Sequence, residues 1–346
     1  MSLSAAAGPR RERVNASLQR KDGKFRNPSG LGPGLKGDRF PVLKDFFLGG
    51  ARRKPPAPIP TFDPREPWLS APETQFRVTW LGHSTLLLEL DGLRILTDPV
   101  FGERVSPVSF AGPRRFHAVP VGIDALPKLD AVLLSHDHFD HLCAGSMQQL
   151  ARRDVTFVTA LGVGARLESC GVRPERIVEL DWHESADLCG GSLRFTATPA
   201  QHFSGRGLGD RNDTLWASWV IQTDRRRVFF SGDTGLFPEM ADIGRKYGPF
   251  DLTMLEVGAF HPAWGDIHLG PDNGLRAHAL LGGGLLLPVH WGTFDLALHA
   301  WDDPAETLYE RAKAERTPLL LPKLGVPVEP TREPAEAPWW RSMQST

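Results

Sequence analysis

The chain has 346 residues, 41% of them hydrophobic and 23% charged, with a formal net charge of −1; it is long enough to bury a substantial core and lacks the overall basic excess that points to nucleic acid. Its three cysteines, Cys143, Cys170 and Cys189, include no CxxC pair, which excludes a disulfide framework and fits a reducing, cytoplasmic setting. No run of 18 apolar residues and no apolar leader segment occur, so neither a membrane span nor secretion is expected.

The charge is uneven. Residues 1–54 hold 13 Lys and Arg against 4 Asp and Glu, and residues 1–60 read as a basic, Gly/Pro-rich arm or wrapping extension without a sustained period of 2 or 3.6. Such an arm is expected to be solvated, its sharper use being peripheral contact with the anionic inner surface of a membrane. Regular structure is expected from "FRVTWLGHSTLLLEL", an apolar, β-branched run that meets an Asp91-Gly92 turn and continues as "LRILTDPVF", a hairpin signal. From Asp130 onward the apolar runs "AVLLSH", "TFVTA", "RIVEL", "SLRFTATPA", "LWASWVIQT", "RRRVFFSGD", "DLTMLEVG" and "LLLPVHW" alternate with helical candidates. These candidates are "LCAGSMQQLARR", "LGVGARLESC", "LFPEMADIGRKYG", "PDNGLRAHALL" and "PAETLYERAKAER". Interleaving of this kind predicts α/β layers, in one domain over residues 70–328. The tail, 329–346, is Pro- and Glu-rich and expected to be loosely held, with Trp339 and Trp340 able to dock.

Within "AVLLSHDHFDHL" an apolar run ends in three histidines and two aspartates, chemistry that a cation would have to balance. His136 and His138 are two apart, so an extended strand end presents both imidazoles on one face and to one ion. Asp140 and His141 follow the turn toward a helix and point to a second ion. Further ligand types close later apolar runs, His202 after "LRFTATPAQ", Asp233 after "VFFSG" and His290 after "LLLPV", at the C-terminal strand ends where sites collect in layered α/β proteins. Imidazole and carboxylate donors suit zinc, iron and manganese being the other metals such a set takes.

"HDHFDH" matches the HxHxDH signature, and the chain resembles the metallo-β-lactamase superfamily. The segments "TWLGHSTLLLELDGLRILTDPVF", "GPRRF", "DAVLLSHDHFDHL", "ELDW", "TPAQHF", "LWASW", "FFSGDTGLFPEMADIGRKYGPFDL" and "HWGTFDLA" resemble more narrowly the N-acylphosphatidylethanolamine-hydrolysing phospholipase D family, from about Phe76 to His299, with an upstream echo in "DGKFRNP". The resemblance implies an αββα four-layer sandwich with a dinuclear metal site at one edge of the two sheets. It implies two Zn2+, the first on His136, His138 and His202, the second on Asp140, His141 and His290, with Asp233 bridging and catalytic. It further implies that Asp98 orients a ligand, although Asp before Pro also caps turns, and that His268 contacts the substrate or its leaving group. Phe139 is a substrate-side position where a Tyr is expected, and Ile267 stands where a polar residue is expected.

The implied reaction is phosphodiester cleavage of a phospholipid or a small phosphodiester, with a homodimer compatible and no nucleic-acid partner. The alternatives are a zinc-dependent lactonase or other small-molecule hydrolase of the same superfamily, and a metal-binding scaffold without turnover. A redox di-iron version would need a partner domain, and no flavin motif or CxxC cluster is present. Phe110, Phe203, Trp216, Trp264 and Trp291 divide between core packing and an acyl groove, and His83 reads as a buried imidazole near the site. Arg114, Arg115, Arg206 and Arg211 read as solvated, with one or two able to meet a phosphate. "GLGPG" and "LLGGGLLL" lack the context of phosphate loops.

Overall fold

The computed structural model describes residues 8–30, 32, 52–108, 110–261, 264, 266–330 and 338–343. Most of "GLGPG", much of the arm between residues 33 and 51, and most of the tail lie outside them.

The first part of the arm packs on the body as a wrapping extension and is not the solvated arm its charge suggests. It forms a helix, α1 (Pro9–Ala16), and a two-stranded hairpin, β1 (Arg20–Lys21) with β2 (Lys24–Phe25). Its cations are tied to the body: Arg10 pairs with Glu168 at 2.6 Å and with Glu179, Arg13 with Glu184 at 2.5 Å, and Lys24 with Asp213 at 2.6 Å. Phe25 is fully buried. Long-range ion pairs and two anchor residues, Val14 and Phe25, hold this segment, which is why no amphipathic period announces it.

The seven-stranded sheet begins with the meander β3 (Phe76–Gly82), β4 (Thr85–Leu90) and β5 (Leu93–Thr97). The turn between β4 and β5 has Asp91 at φ 51° and Gly92 at φ 86°, the two positive angles that a two-residue hairpin of this twist requires. The parallel strands β6 (Ala131–Leu134), β7 (Thr156–Ala160) and β8 (Ile177–Leu180) follow, with α2 (Ala144–Leu150) and α3 (Gly164–Ser169) in the crossovers. The second sheet has six strands, β9 (Ser185–Leu188), β10 (Leu193–Thr198), β11 (Ser218–Gln222), β12 (Arg227–Phe230), β13 (Phe250–Glu256) and β14 (Gly283–Val289), in the order 14-13-12-11-10-9. β9 was not expected from sequence; as a short edge strand it alternates exposed and half-buried residues, and its apolar face is just Ala186 and Leu188.

Helices α4 (Met240–Tyr247), α5 (Gly270–Leu281) and α6 (Asp303–Glu315) lie outside the six-stranded sheet, α5 packing on β13 and β14. The short strand β15 (Pro327–Val328) closes the first sheet against β3. One continuous core joins Trp80, Leu88 and Phe157 of the first sheet to Phe195, Trp219 and Phe229 of the second. Two mixed sheets flanked by helices form the expected αββα sandwich. In the tail, Trp340 is fully buried with its indole N–H on Glu306 at 2.8 Å, and Trp339 stacks on Trp291.

Strand direction places the site. β3 and β4, and β4 and β5, are antiparallel, while β5 to β8 are parallel, so β3, β5 and β6 run the same way. By the same reasoning β10, β12, β13 and β14 share one direction. The residues that follow these strands are His83, Asp98, His136, His202, Asp233 and His290, and Glu256 ends β13.

Candidate metal centre

Three overlapping groups of metal-type side chains form at this edge, with ligand-type atoms in each within 4.8 Å of one another: His136, His138, His202 and Asp233; His83, Asp140, His141 and His290; and Asp233, His268 and His290. All seven residues expected as ligands are therefore together. Asp233 touches both main groups, 3.6 Å from His202 Nε2, 3.1 Å from His141 Nε2 and 3.2 Å from His290 Nε2.

Hydrogen bonds determine which nitrogens face inward. The Ser135 hydroxyl donates to Asp98 at 2.6 Å, so at 2.9 Å it accepts from His136 Nδ1 and leaves Nε2 unprotonated. His202 Nδ1 donates to the Ile267 carbonyl at 3.0 Å with the same result, and His141 Nδ1 donates to Asp98 at 2.6 Å, which turns His141 Nε2 inward. Asp98, expected to orient a ligand or cap a turn, does orient His141 and also accepts the Ser135 amide at 2.7 Å. Burial pushes its carboxyl above the usual range against these donors.

The electrostatics fit a cation. Burial pulls His136 and His202 well below their ordinary values, keeping them in the neutral form that ligates metal. For His141 and His290 burial also pulls down, but Asp233 and Asp140 override it and lift His290 to about 10. Burial works to raise Asp233, yet His141 and His290 hold it well below the carboxylate range. Those two protons balance Asp140 and Asp233, and a divalent cation would take their place and release them. His141 Nε2, His290 Nε2 and Asp233 Oδ1 are buried and close enough to pair by charge, yet they make no aligned hydrogen bond among the described residues, an arrangement that a cation set between them would satisfy. The set therefore fits metal ions.

Backbone strain gathers here as well. His83, Asp98 and His290 have φ of 52°, 33° and 66°, left-handed values that non-glycine residues hold only under constraint. Gly232, which precedes Asp233, is at φ 54°, and a Cβ there would lie 2.5 Å from Ser135 Cβ.

Two contributors were not singled out from sequence as site groups. His83, read as a nearby structural imidazole, places Nε2 3.2 Å from Asp140 and packs against the tilted His290 ring with centroids 3.9 Å apart; it follows β3 just as the other ligand types follow their strands, and that position was its signal. Glu256 is fully buried and accepts from Leu269 N at 2.8 Å and His268 Nδ1 at 3.2 Å, so it holds the His268 ring beside His202 and His290.

Phe139 lies under the Arg206 guanidinium, 3.9 Å from ring centroid to Cζ, and packs against Val100, Val105 and Phe294. Arg206 donates to the Asp137 and Leu142 carbonyls, and buried Arg115 to that of Val100, so neither is the solvated cation expected. Trp216 and Trp291 are buried in the core, Phe203 packs on His138 and His202, and Phe110 is exposed. Beside His268 opens a cavity of about 380 Å³ lined by Phe260, His261, Trp264, Asp266 and Asp303 among others.

Residues 93–291 match the model of the beta-lactamase superfamily domain. The chain belongs to the metallo-β-lactamase superfamily. Superfamily membership and the paired ligand groups make it a metal-dependent hydrolase. It is 45% identical over 304 residues to an uncharacterised protein of Mycobacterium tuberculosis, covering 87% of this chain and 80% of that one. It is 36% identical over 234 residues to N-acyl-phosphatidylethanolamine-hydrolyzing phospholipase D 1 of Caenorhabditis elegans, covering 65% of this chain and 66% of that one. Among solved structures, Igni18, a metallo hydrolase from the archaeon Ignicoccus hospitalis, superposes with TM-score 0.57 at 24% identity over 73% of this chain and 97% of its own. That likeness concerns the superfamily fold.

Proposed function

We propose that the protein is a dinuclear zinc phosphodiesterase that hydrolyses N-acylphosphatidylethanolamine or a related phospholipid in the manner of a phospholipase D. The observation that carries this reading is Asp233 set between two histidine groups, with inward nitrogens of both turned toward it. His136, His138 and His202 would hold one ion, and His83, Asp140, His141 and His290 the other. Two bound cations supply an acidified water and offset charge on a phosphodiester. The relative from C. elegans supports the lipid substrate.

The chain's own residues do the rest. Asp98 and Ser135 keep His141 and His136 in the correct tautomer. His268, with Nδ1 on Glu256, offers Nε2 as proton donor to the departing alcohol oxygen, and the Glu256 carboxylate stabilises the imidazolium this requires. In the balanced reaction, water oxygen bonds to phosphorus, the bond to the N-acylethanolamine oxygen breaks, and one proton passes from water to that oxygen. Phosphatidic acid and N-acylethanolamine are the products.

One observation favours a second reading, a small-molecule ester or lactone hydrolase: the cavity beside His268 includes His261, Asp266, Asp272 and Asn273 in its lining, polar groups suited to a compact substrate. Incubating zinc-loaded protein with N-acylphosphatidylethanolamine vesicles and analysing products by mass spectrometry decides between them. Both products appearing with the wild type and not with Asp233→Asn is the expected result. No product from zinc-loaded wild type overturns the lipid reading in favour of the second.

A further inference from the structure

Membrane contact by the basic arm has little support in the described residues, because Arg10, Arg13 and Lys24 are ion-paired to the body. Exposed apolar and basic surface occurs elsewhere. The loop from β5 to β6 carries Val108 and Phe110, 39% and 82% exposed. At its neck Arg104 and Arg114 form an isolated antiparallel bridge, beside a cavity of about 460 Å³ lined by Lys54, Arg104, Arg114 and Arg115, with Asp295 as the acid of its lining among the described residues. That acid is engaged by Arg53 at 2.8 Å, and Arg114 pairs with Glu103 at 2.5 Å, which leaves Lys54 and Arg104, besides buried Arg115, as lining cations without an acid partner among the described residues.

A second loop, from β10 to β11, carries fully exposed Leu208 between Arg206 and Arg211. Both loops are rooted on the metal motif. Phe139 packs against the cluster that includes Val105 of the first loop, and lies under Arg206 of the second; Gly102 of the first loop abuts Cys143, and Arg206 bonds the Asp137 and Leu142 carbonyls.

Large apolar side chains raised into water at loop tips, beside a basic cavity and next to the catalytic edge, match an interfacial anchor: apolar groups enter the acyl boundary while guanidinium and ammonium groups meet phosphates. A second copy of the chain fits less well, since a twofold contact through this surface would set like charges face to face. We propose that these two loops form the docking surface for an anionic phospholipid membrane, with Phe110, Val108 and Leu208 entering the interface and Lys54 and Arg104 facing headgroup phosphates. The proposal rests on the lipid-substrate reading for its purpose, though its test does not use hydrolysis.

The test is co-sedimentation of the full chain with vesicles of phosphatidylcholine alone and of equal parts phosphatidylcholine and phosphatidylglycerol. Wild type is expected to sediment with the anionic vesicles and not the neutral ones. Phe110→Ser with Leu208→Ser, and separately Lys54→Glu with Arg104→Glu, are each expected to lower the partition about tenfold or more, at unchanged metal content and thermal midpoint. Equal sedimentation with both vesicle types, or variants that bind as wild type does, would overturn the proposal; so would gel filtration showing that Phe110→Ser dissolves a dimer while vesicle binding persists. Vesicle binding without N-acylethanolamine release defeats the lipid-substrate reading alone, and hydrolysis in detergent micelles without vesicle binding defeats the docking surface alone.

Discussion

His136 and His202 on one side of Asp233, and His83 and His290 on the other, are held by different means. The first pair is oriented by hydrogen bonds: His136 by Ser135, His202 by the Ile267 carbonyl. Around His202 the control extends to its backbone, because Asn27 of the N-terminal segment donates to the His202 carbonyl at 2.8 Å and accepts from its amide at 2.9 Å. His83 and His290 have Nδ1 atoms without a hydrogen-bond partner among the described residues. They are placed instead by left-handed backbone, by the tilted contact of their rings and by the His290 amide on the His83 carbonyl at 3.1 Å. A ligand whose far nitrogen donates to an acceptor is more basic and rotationally fixed. We expect from this difference that the two metal positions are unequal, the His136 side binding more tightly.

The most severe way to break this comparison is Asp233→Ala, which removes the one group common to both sides. Activity is expected to fall to background, and metal analysis after desalting should show loss at both positions. Retention of one full equivalent would mean that the two sides are independent.

Chelator titration sharpens it further. Metal is expected to leave in two stages, with His83→Ala advancing only the first stage and His202→Ala removing the second. A single stage in the wild type would refute the inequality.

Smaller effects come from residues that touch no metal. Asp98→Asn, acting mainly on His141, is expected to weaken the looser position by roughly 10–100-fold, and Asn27→Ala to weaken the tighter one toward the lower end of that range, both measured by competition with a zinc dye. Equal effects of Asn27→Ala on both positions would assign it a general structural role.

The least effect on metal is expected from His278→Gln, which separates ligand protonation from ordinary acid unfolding. Burial pulls His278 to about 4, so folding favours its neutral form. The stability this contributes is present above about 6.5, declines as pH falls by up to about 1.4 kcal/mol per unit, and is gone below about 4. The variant should flatten the acid limb of denaturant stability over that window without changing metal content. An unchanged limb would show that the ligand histidines alone produce it.

Much of the fold was legible because its main strands are apolar runs bounded by turn chemistry and its later helices are amphipathic; hidden elements were those held by other forces, the ion-paired α1 and the exposed edge strand β9. In the site, "HDHFDH" with His202, Asp233 and His290 announced itself through ligand types at the ends of apolar runs. His83 satisfies the same rule, but a lone histidine after a strand is usually structural, and nothing local distinguishes it. Glu256 looked like an ordinary strand residue until the fold enclosed it.

The sequence by itself therefore determined the layer architecture and the kind of chemistry, since periodicity and ligand type are properties of short segments. Only the tertiary structure decided that His83 joins Asp140 and His290, that Asn27 clamps His202 across 175 positions of chain, and that the apolar tips of two loops share a root on the metal motif. These are contacts between segments far apart in sequence, set by strand direction and sheet packing, and no local pattern encodes them.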